Sequence, residues 1–196
     1  MSVKSRVVYG INTGFGNFAD KIISHEALEK LQVNLIRSHA VGVGKPLRPE
    51  IIKRMMILRI NTLSKGRSGM CPINLKRYIE AYNQNYLPMI PEKGTVGASG
   101  DLAPLSHLAL GMLGEGLAWN EQENDFTDAA KIMEAKKLKP IELQEKEGLA
   151  LINGTQFMSA IISEVETLSR VLFDSAIVVF AFAAEIFGLE VELLSD

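Results

Sequence analysis

The most unusual stretch of the chain is Gly94-Thr-Val-Gly-Ala-Ser-Gly-Asp-Leu-Ala-Pro-Leu-Ser-His. Within it, Ala98-Ser99-Gly100 stands between a glycine-rich approach and the start of an apolar segment. Small side chains, and a glycine without Cβ, allow the Gly100 amide nitrogen to come up to the Ala98 carbonyl carbon. Ring closure with loss of water, then loss of the Ser99 hydroxyl, would give a five-membered ring bearing an exocyclic methylidene. Such a group is an electrophile, which none of the twenty side chains provides. The plainer alternative is a glycine-rich turn in which Asp101 caps the following helix by meeting its free N–H groups.

Other residues could serve such an electrophile. Tyr9 heads Tyr9-Gly-Ile-Asn-Thr-Gly-Phe-Gly-Asn-Phe, where Gly10, Gly14 and Gly16 favour a loop able to close tightly over a ligand. Read from the residues alone, Tyr9 is a half-buried loop aromatic. His39 stands near a predicted helix end, where a histidine commonly meets free carbonyls or the dipole. Asn153 precedes Gly154, a frequent turn pair. His107 follows an apolar helix face and reads as a satisfied core or interface histidine. Arg37 and Arg59 read as buried ion-pair partners whose acids the sequence does not identify. The 8 methionines read as core filler, and no His, Cys, Asp and Glu cluster has metal spacing, so no metal is expected.

The elements that must hold these residues are mainly helical. Leu28, Leu31, Leu35 and Ile36 share one helix face, with Ser24 as N-cap, and Val41-Gly-Val-Gly-Lys-Pro supplies the stop. Pro49 opens a second helix buried through Ile52, Met55, Met56, Arg59, Ile60 and Leu63, closed by Gly66 and Gly69. A third runs from Pro72 to about Asn85 on a stripe of Leu75, Tyr78, Ile79 and Tyr82. Proline and glycine keep residues 87–97 out of a helix, and an apolar helix then runs from Asp101 to Leu113. Residues 114–145 read as a polar excursion with a short helix over 128–137 and room for a short strand pair. From Leu151 the pattern predicts nearly unbroken helix of more than thirty residues.

Composition bounds the function. The 196 residues carry 21 basic and 23 acidic side chains, a formal charge of −2, which gives no footprint for nucleic acid or an anionic membrane. The single Cys71 excludes a disulfide framework. Met1-Ser-Val-Lys-Ser-Arg has no secretory pattern, and the apolar run from Ala176 to Ala184 is too short to span a bilayer. A cytoplasmic setting is expected, with neither membrane nor nucleic acid as partner.

Five blocks together resemble the aromatic amino-acid ammonia-lyase and aminomutase family. They are Tyr9-Gly-Ile-Asn-Thr-Gly-Phe-Gly, Asn34-Leu-Ile-Arg-Ser-His-Ala-Val-Gly-Val-Gly, Arg59-Ile-Asn-Thr-Leu-Ser-Lys-Gly, the Gly94–His107 segment, and Glu147-Gly-Leu-Ala-Leu-Ile-Asn-Gly-Thr. They occur in the family's order, and the Ala-Ser-Gly-Asp block is the most specific. The resemblance implies that Ala98, Ser99 and Gly100 cyclise to 4-methylideneimidazole-5-one (MIO). It implies that Tyr9 removes the substrate β-proton, that Asn153 hydrogen-bonds the prosthetic group or the substrate, and that His39 helps select the substrate ring.

It further implies a mainly α, L-aspartase/fumarase-like fold. Residues 1–150 would form the prosthetic-group domain, incomplete at its N-terminus, and residues 151–196 the truncated first helix of a central bundle. A small amino-acid substrate and a homotetramer follow from the same resemblance. The expected reaction is loss of ammonia from L-histidine to give urocanate. The alternatives are a tyrosine-specific lyase or aminomutase, and an inactive fragment that associates with longer subunits. Later family motifs have no counterpart here, so the chain is expected to be truncated, with the apolar face of residues 151–187 promoting association.

Overall fold

The structure, a computed structural model, describes residue 13 and residues 25–188. Tyr9 and its glycines 10, 14 and 16 lie outside the described residues, as does the expected cap Ser24. In order, the elements are α1 (His25–His39), β1 (Val43–Pro46), α2 (Pro49–Ser64), α3 (Pro72–Asn83), β2 (Pro91–Lys93) and α4 (Leu102–Met112). There follow β3 (Leu117–Asn120), β4 (Asp125–Asp128), α5 (Ala129–Ala135), α6 (Glu147–Ile152) and α7 (Gln156–Phe187). By chain contacts the molecule divides into two compact units, Met1–Ala160 and Ile161–Asp196.

The centre of the first unit is α4, which packs against both α1 and α6. It is apolar almost all round and buries Ala103, Pro104, Leu105, Leu108, Ala109 and Met112, as a helix enclosed by neighbours must. Pro104 falls in its first turn, where the missing N–H would have had no partner. The α2 helix starts at Pro49 and buries Ile52, Met55, Met56, Arg59, Ile60 and Leu63, the residues its period predicts. Two antiparallel pairs complete the unit, β1 with β2 and β3 with β4.

Several expectations need correction. The third helix buries Asn74, Tyr78 and Ala81, while Ile79 is exposed. Asn74 turns inward because its amide donates to the Glu142 carbonyl and to the Glu147 carboxylate. The segment after α1 is more than a stop signal, since Val43–Pro46 pairs with Pro91–Lys93. On α1 the buried set includes Gln32, whose Oε1 accepts the Gly148 N–H. The helix expected from Leu151 onward is interrupted: α6 ends at Ile152, and α7 begins only at Gln156.

In the second unit α7 continues to Phe187, and with its first turns spans about 48 Å at 1.5 Å per residue. Val165, Leu168, Val171, Leu172 and Phe173 are exposed along it. Among the described residues no helix is long and apolar enough to cross a membrane.

Candidate functional site

The break between α6 and α7 lies against the Ala98-Ser99-Gly100 loop. The Asp101 N–H donates to the Gly154 carbonyl (2.7 Å), and the Asn153 side-chain amide donates to the Ser99 carbonyl (3.1 Å). Gly100 has φ +112°, and a Cβ there would lie 2.9 Å from the Gly154 oxygen and 3.1 Å from its nitrogen. Only glycine fits, both because of the backbone conformation and because of this close approach. Among the described residues nothing accepts the Gly100 N–H, so the nitrogen needed for ring closure is not committed elsewhere. Ala98 and Ser99 are exposed.

Asp101 is buried but does not cap its own helix. Its Oδ2 accepts the Met158 N–H (3.0 Å) in the first turn of α7, and its Oδ1 accepts from the Thr95 hydroxyl (3.1 Å). The carboxylate thus caps a different helix from the one its position suggested, and ties the loop before the tripeptide to the turn beneath it. That corrects the local capping expectation. An acidic residue beside a glycine tripeptide carries no sequence mark of which helix end it will meet.

His39, at the end of α1, is brought to the same place. With Val41, Thr95, Val96, Ser99 and Gly100 it lines a cavity of about 180 Å³. Its Nδ1 lies 2.9 Å from the Leu35 carbonyl, which can only accept, so Nδ1 carries the proton. In the tautomer with Nδ1–H, Nε2 is the acceptor nitrogen of the ring. A larger open depression of about 640 Å³, lined from Trp119 to Lys136, holds none of the tripeptide residues.

His107 supports the floor from the side. Its Nε2 accepts the Gly42 N–H (3.0 Å) and burial pushes its pKa down, so it is the satisfied, partly buried histidine the sequence suggested. Arg37 pairs on the surface with Glu115 (2.6 Å), which corrects the expectation that it is buried. Arg59 is buried, but it bonds to Gln156 and to the Ala150 carbonyl in place of an acid. Burial pulls its pKa down, and the nearby Tyr78 acts in the opposite direction. Gln156 and Gln32 were not marked by the sequence, because a buried glutamine in a helix looks like any exposed one.

The residues present suit the ring chemistry. Gly100 is seated where a Cβ would clash, its nitrogen is uncommitted, and the Ser99 oxygen that would become the ring carbonyl already accepts from Asn153. Among the described residues, no group of three or more His, Cys, Asp and Glu side chains gathers at metal-binding range.

The chain is 52% identical over 185 residues to the histidine ammonia-lyase of Mus musculus, which takes in 94% of this chain and 28% of that protein. It is 52% identical over 168 residues to the histidine ammonia-lyase of Bacillus cytotoxicus, covering 84% of this chain and 33% of that one. Among solved structures it is similar to histidine ammonia-lyase from Trypanosoma cruzi, with TM-score 0.76 and 52% identity over 82% of this chain and 31% of that one. It also matches the Pantoea agglomerans phenylalanine aminomutase, with TM-score 0.82 and 38% identity over 88% of this chain and 33% of that one. The chain spans no more than about a third of the length of these relatives. The family model described as aromatic amino acid lyase matches residues 1–195. Its mainly helical fold is theirs, and the chain belongs to the aromatic amino acid lyase family.

Proposed function

We propose that this chain carries the prosthetic-group portion of a histidine ammonia-lyase, which eliminates ammonia from L-histidine to give urocanate. The observation that carries the reading is that His39, Ser99 and Gly100 line one small cavity, while the Asn153-Gly154 turn holds the loop from which Ser99 and Gly100 come. In this reading residues 1–150 hold the group and residues 151–196 begin a helical bundle through which copies associate, as a tetramer, in the cytoplasm.

The reaction must remove a weakly acidic β-proton and expel a poor leaving group. Ala98, Ser99 and Gly100, once cyclised to MIO, would supply an electrophile for the substrate. Asn153 donates to the Ser99 oxygen and draws electron density toward it, which sharpens that electrophile. His39 presents a ring acceptor to a substrate side chain that can donate, as an imidazole N–H or a phenol can. Val41, Val96 and Leu102 give the cavity apolar walls, with Val41 and Val96 themselves open to solvent. Tyr9 is assigned removal of the β-proton.

A tyrosine-directed reading draws on 38% identity to the tyrosine aminomutase of Streptomyces globisporus. The 52% identity to histidine ammonia-lyases favours histidine. The test is the intact mass of the purified chain, followed by ammonia release from L-histidine and L-tyrosine. Ring formation removes two waters, about 36 Da. A mass equal to that of the sequence overturns the reading, and faster release from tyrosine replaces histidine with the alternative.

A further inference from the structure

Arg59 is 1% exposed, yet it reaches across to two elements remote in sequence. Its Nη1 donates to Gln156 Oε1 (2.7 Å) at the start of α7, and its Nη2 donates to the Ala150 carbonyl in α6. The two contacts grip the chain on either side of Asn153-Gly154-Thr155. Gly154 lies directly on this pair: a Cβ there would clash with Arg59 Nη1 and Gln156 Oε1. The Gly154 backbone also meets Gly100, where a Cβ would lie 2.9 Å from the Gly154 oxygen. Gly154 therefore touches both the Arg59–Gln156 pair and Gly100.

A buried cation held by an amide and a carbonyl is an unfavourable arrangement for stability alone, since the charge loses its hydration without gaining an anion. Among the described residues no carboxylate pairs with Arg59, and its Nε has no hydrogen-bond partner. What this guanidinium does supply is a planar fork joining the Ala150 carbonyl to the Gln156 side chain, which a lysine cannot reproduce.

We propose that Arg59, acting with Gln156, is a positioning residue for closure of the Ala98-Ser99-Gly100 ring. By bracing the Asn153-Gly154 turn against Gly100, it holds the Gly100 nitrogen in a bent approach to the Ala98 carbonyl carbon. This rests on the reading of the tripeptide given above. In the closure, the Gly100 nitrogen bonds to the Ala98 carbon and its proton passes to the former carbonyl oxygen. That hydroxyl leaves as water with the Ser99 amide proton while the C=N bond forms. The Ser99 Cα proton and the Cβ hydroxyl then leave as a second water, giving the methylidene. No oxidant or reductant enters. A rigid turn contributes by restricting the loop to near-attack geometries, where small displacements change rates steeply.

The experiment follows the ring-closed fraction by intact mass, over time after purification, in the whole chain and in Arg59→Met, Arg59→Lys, Gln156→Met and Met55→Ala. Melting temperatures are recorded beside it. Arg59→Met is expected to close at least about tenfold more slowly than the parent, with Arg59→Lys and Gln156→Met in between. Met55→Ala removes buried volume from the same helix at an apolar residue that makes no hydrogen bond to the turn, and is expected to melt earlier yet close at the parent rate. Equal closure in Arg59→Met and the parent overturns the inference. So does closure that simply tracks melting temperature across the set, Met55→Ala included. If Arg59→Met does not fold, parent-rate closure in both Arg59→Lys and Gln156→Met overturns it. A parent chain that never loses mass overturns the tripeptide reading, and this inference with it.

Discussion

Gly100 and Gly154 are in backbone contact: a Cβ on Gly100 would lie 2.9 Å from the Gly154 carbonyl oxygen, closer than real Cβ atoms come to backbone. The contact joins the Ala98-Ser99-Gly100 loop to the break between α6 and α7. A methyl group at position 100 would have to adopt φ +112° and push the turn away together. Gly100→Ala is therefore expected to abolish the loss of about 36 Da and to lower stability by about 1–3 kcal/mol. Intact mass and a urea melt read both effects; a G100A chain that still loses the two waters refutes the first.

Glu147 is expected to matter to stability rather than to chemistry. It is fully buried, and its carboxylate accepts from the Cys71 N–H (2.6 Å), the Asn74 amide (2.8 Å) and the Gln144 N–H (2.7 Å). It pins the start of α3 to the start of α6. Glu147→Ala leaves three donors without their acceptor, a loss of about 3 kcal/mol or more. A shift of the urea midpoint corresponding to less than about 1 kcal/mol would contradict this.

His107 predicts a pH dependence of definite sign. Burial lowers its pKa in the folded chain, and as acceptor of the Gly42 N–H it must be unprotonated. At pH above about 6.5 both folded and unfolded chains hold it neutral, and its contribution is fully present. As pH falls below that value the unfolded chain takes up a proton that the folded chain resists, so stability declines. The decline levels off once the lowered folded value is passed. His107→Gln is expected to flatten this part of the curve in urea melts from about pH 5 to pH 8.

The exposed apolar side chains of α7 predict self-association. Leu168 is 61% exposed and Leu172 is 72% exposed, and with Val165 they recur at helical spacing. Light scattering is expected to give a mass above that of one chain. Replacing Leu168 and Leu172 together by glutamate is expected to lower it, and an unchanged mass in that variant would assign association to another surface.

Much of the fold was legible locally. Pro49 with its run of buried residues marked α2, and the glycine and proline content of residues 87–97 excluded a helix there. The strand pair β1–β2 was not legible, because Val43–Pro46 and Pro91–Lys93 are short, rich in proline and glycine, and joined by pairing distant in sequence. The break at Asn153-Gly154-Thr155 was concealed by strong helix formers on both sides. Yet the same Asn-Gly pair was marked as a turn when read for itself. At the site, Ala98, Ser99, Gly100, Asn153 and His39 were all named from the sequence, and Tyr9 lies outside the described residues.

By itself the sequence determined most of the helical segments, the glycine-rich approach to α4, and which family the motifs resemble. Those properties depend on neighbouring residues: side-chain period, capping and stop signals, and the absence of a Cβ. Only the tertiary structure decided that Gly154 rests on Gly100, that Asp101 caps α7, and that Arg59 is braced by Gln156 and Ala150. A buried polar group takes whatever partner the packed elements bring within hydrogen-bond reach, and packing of helices remote in sequence leaves no periodic trace in the chain.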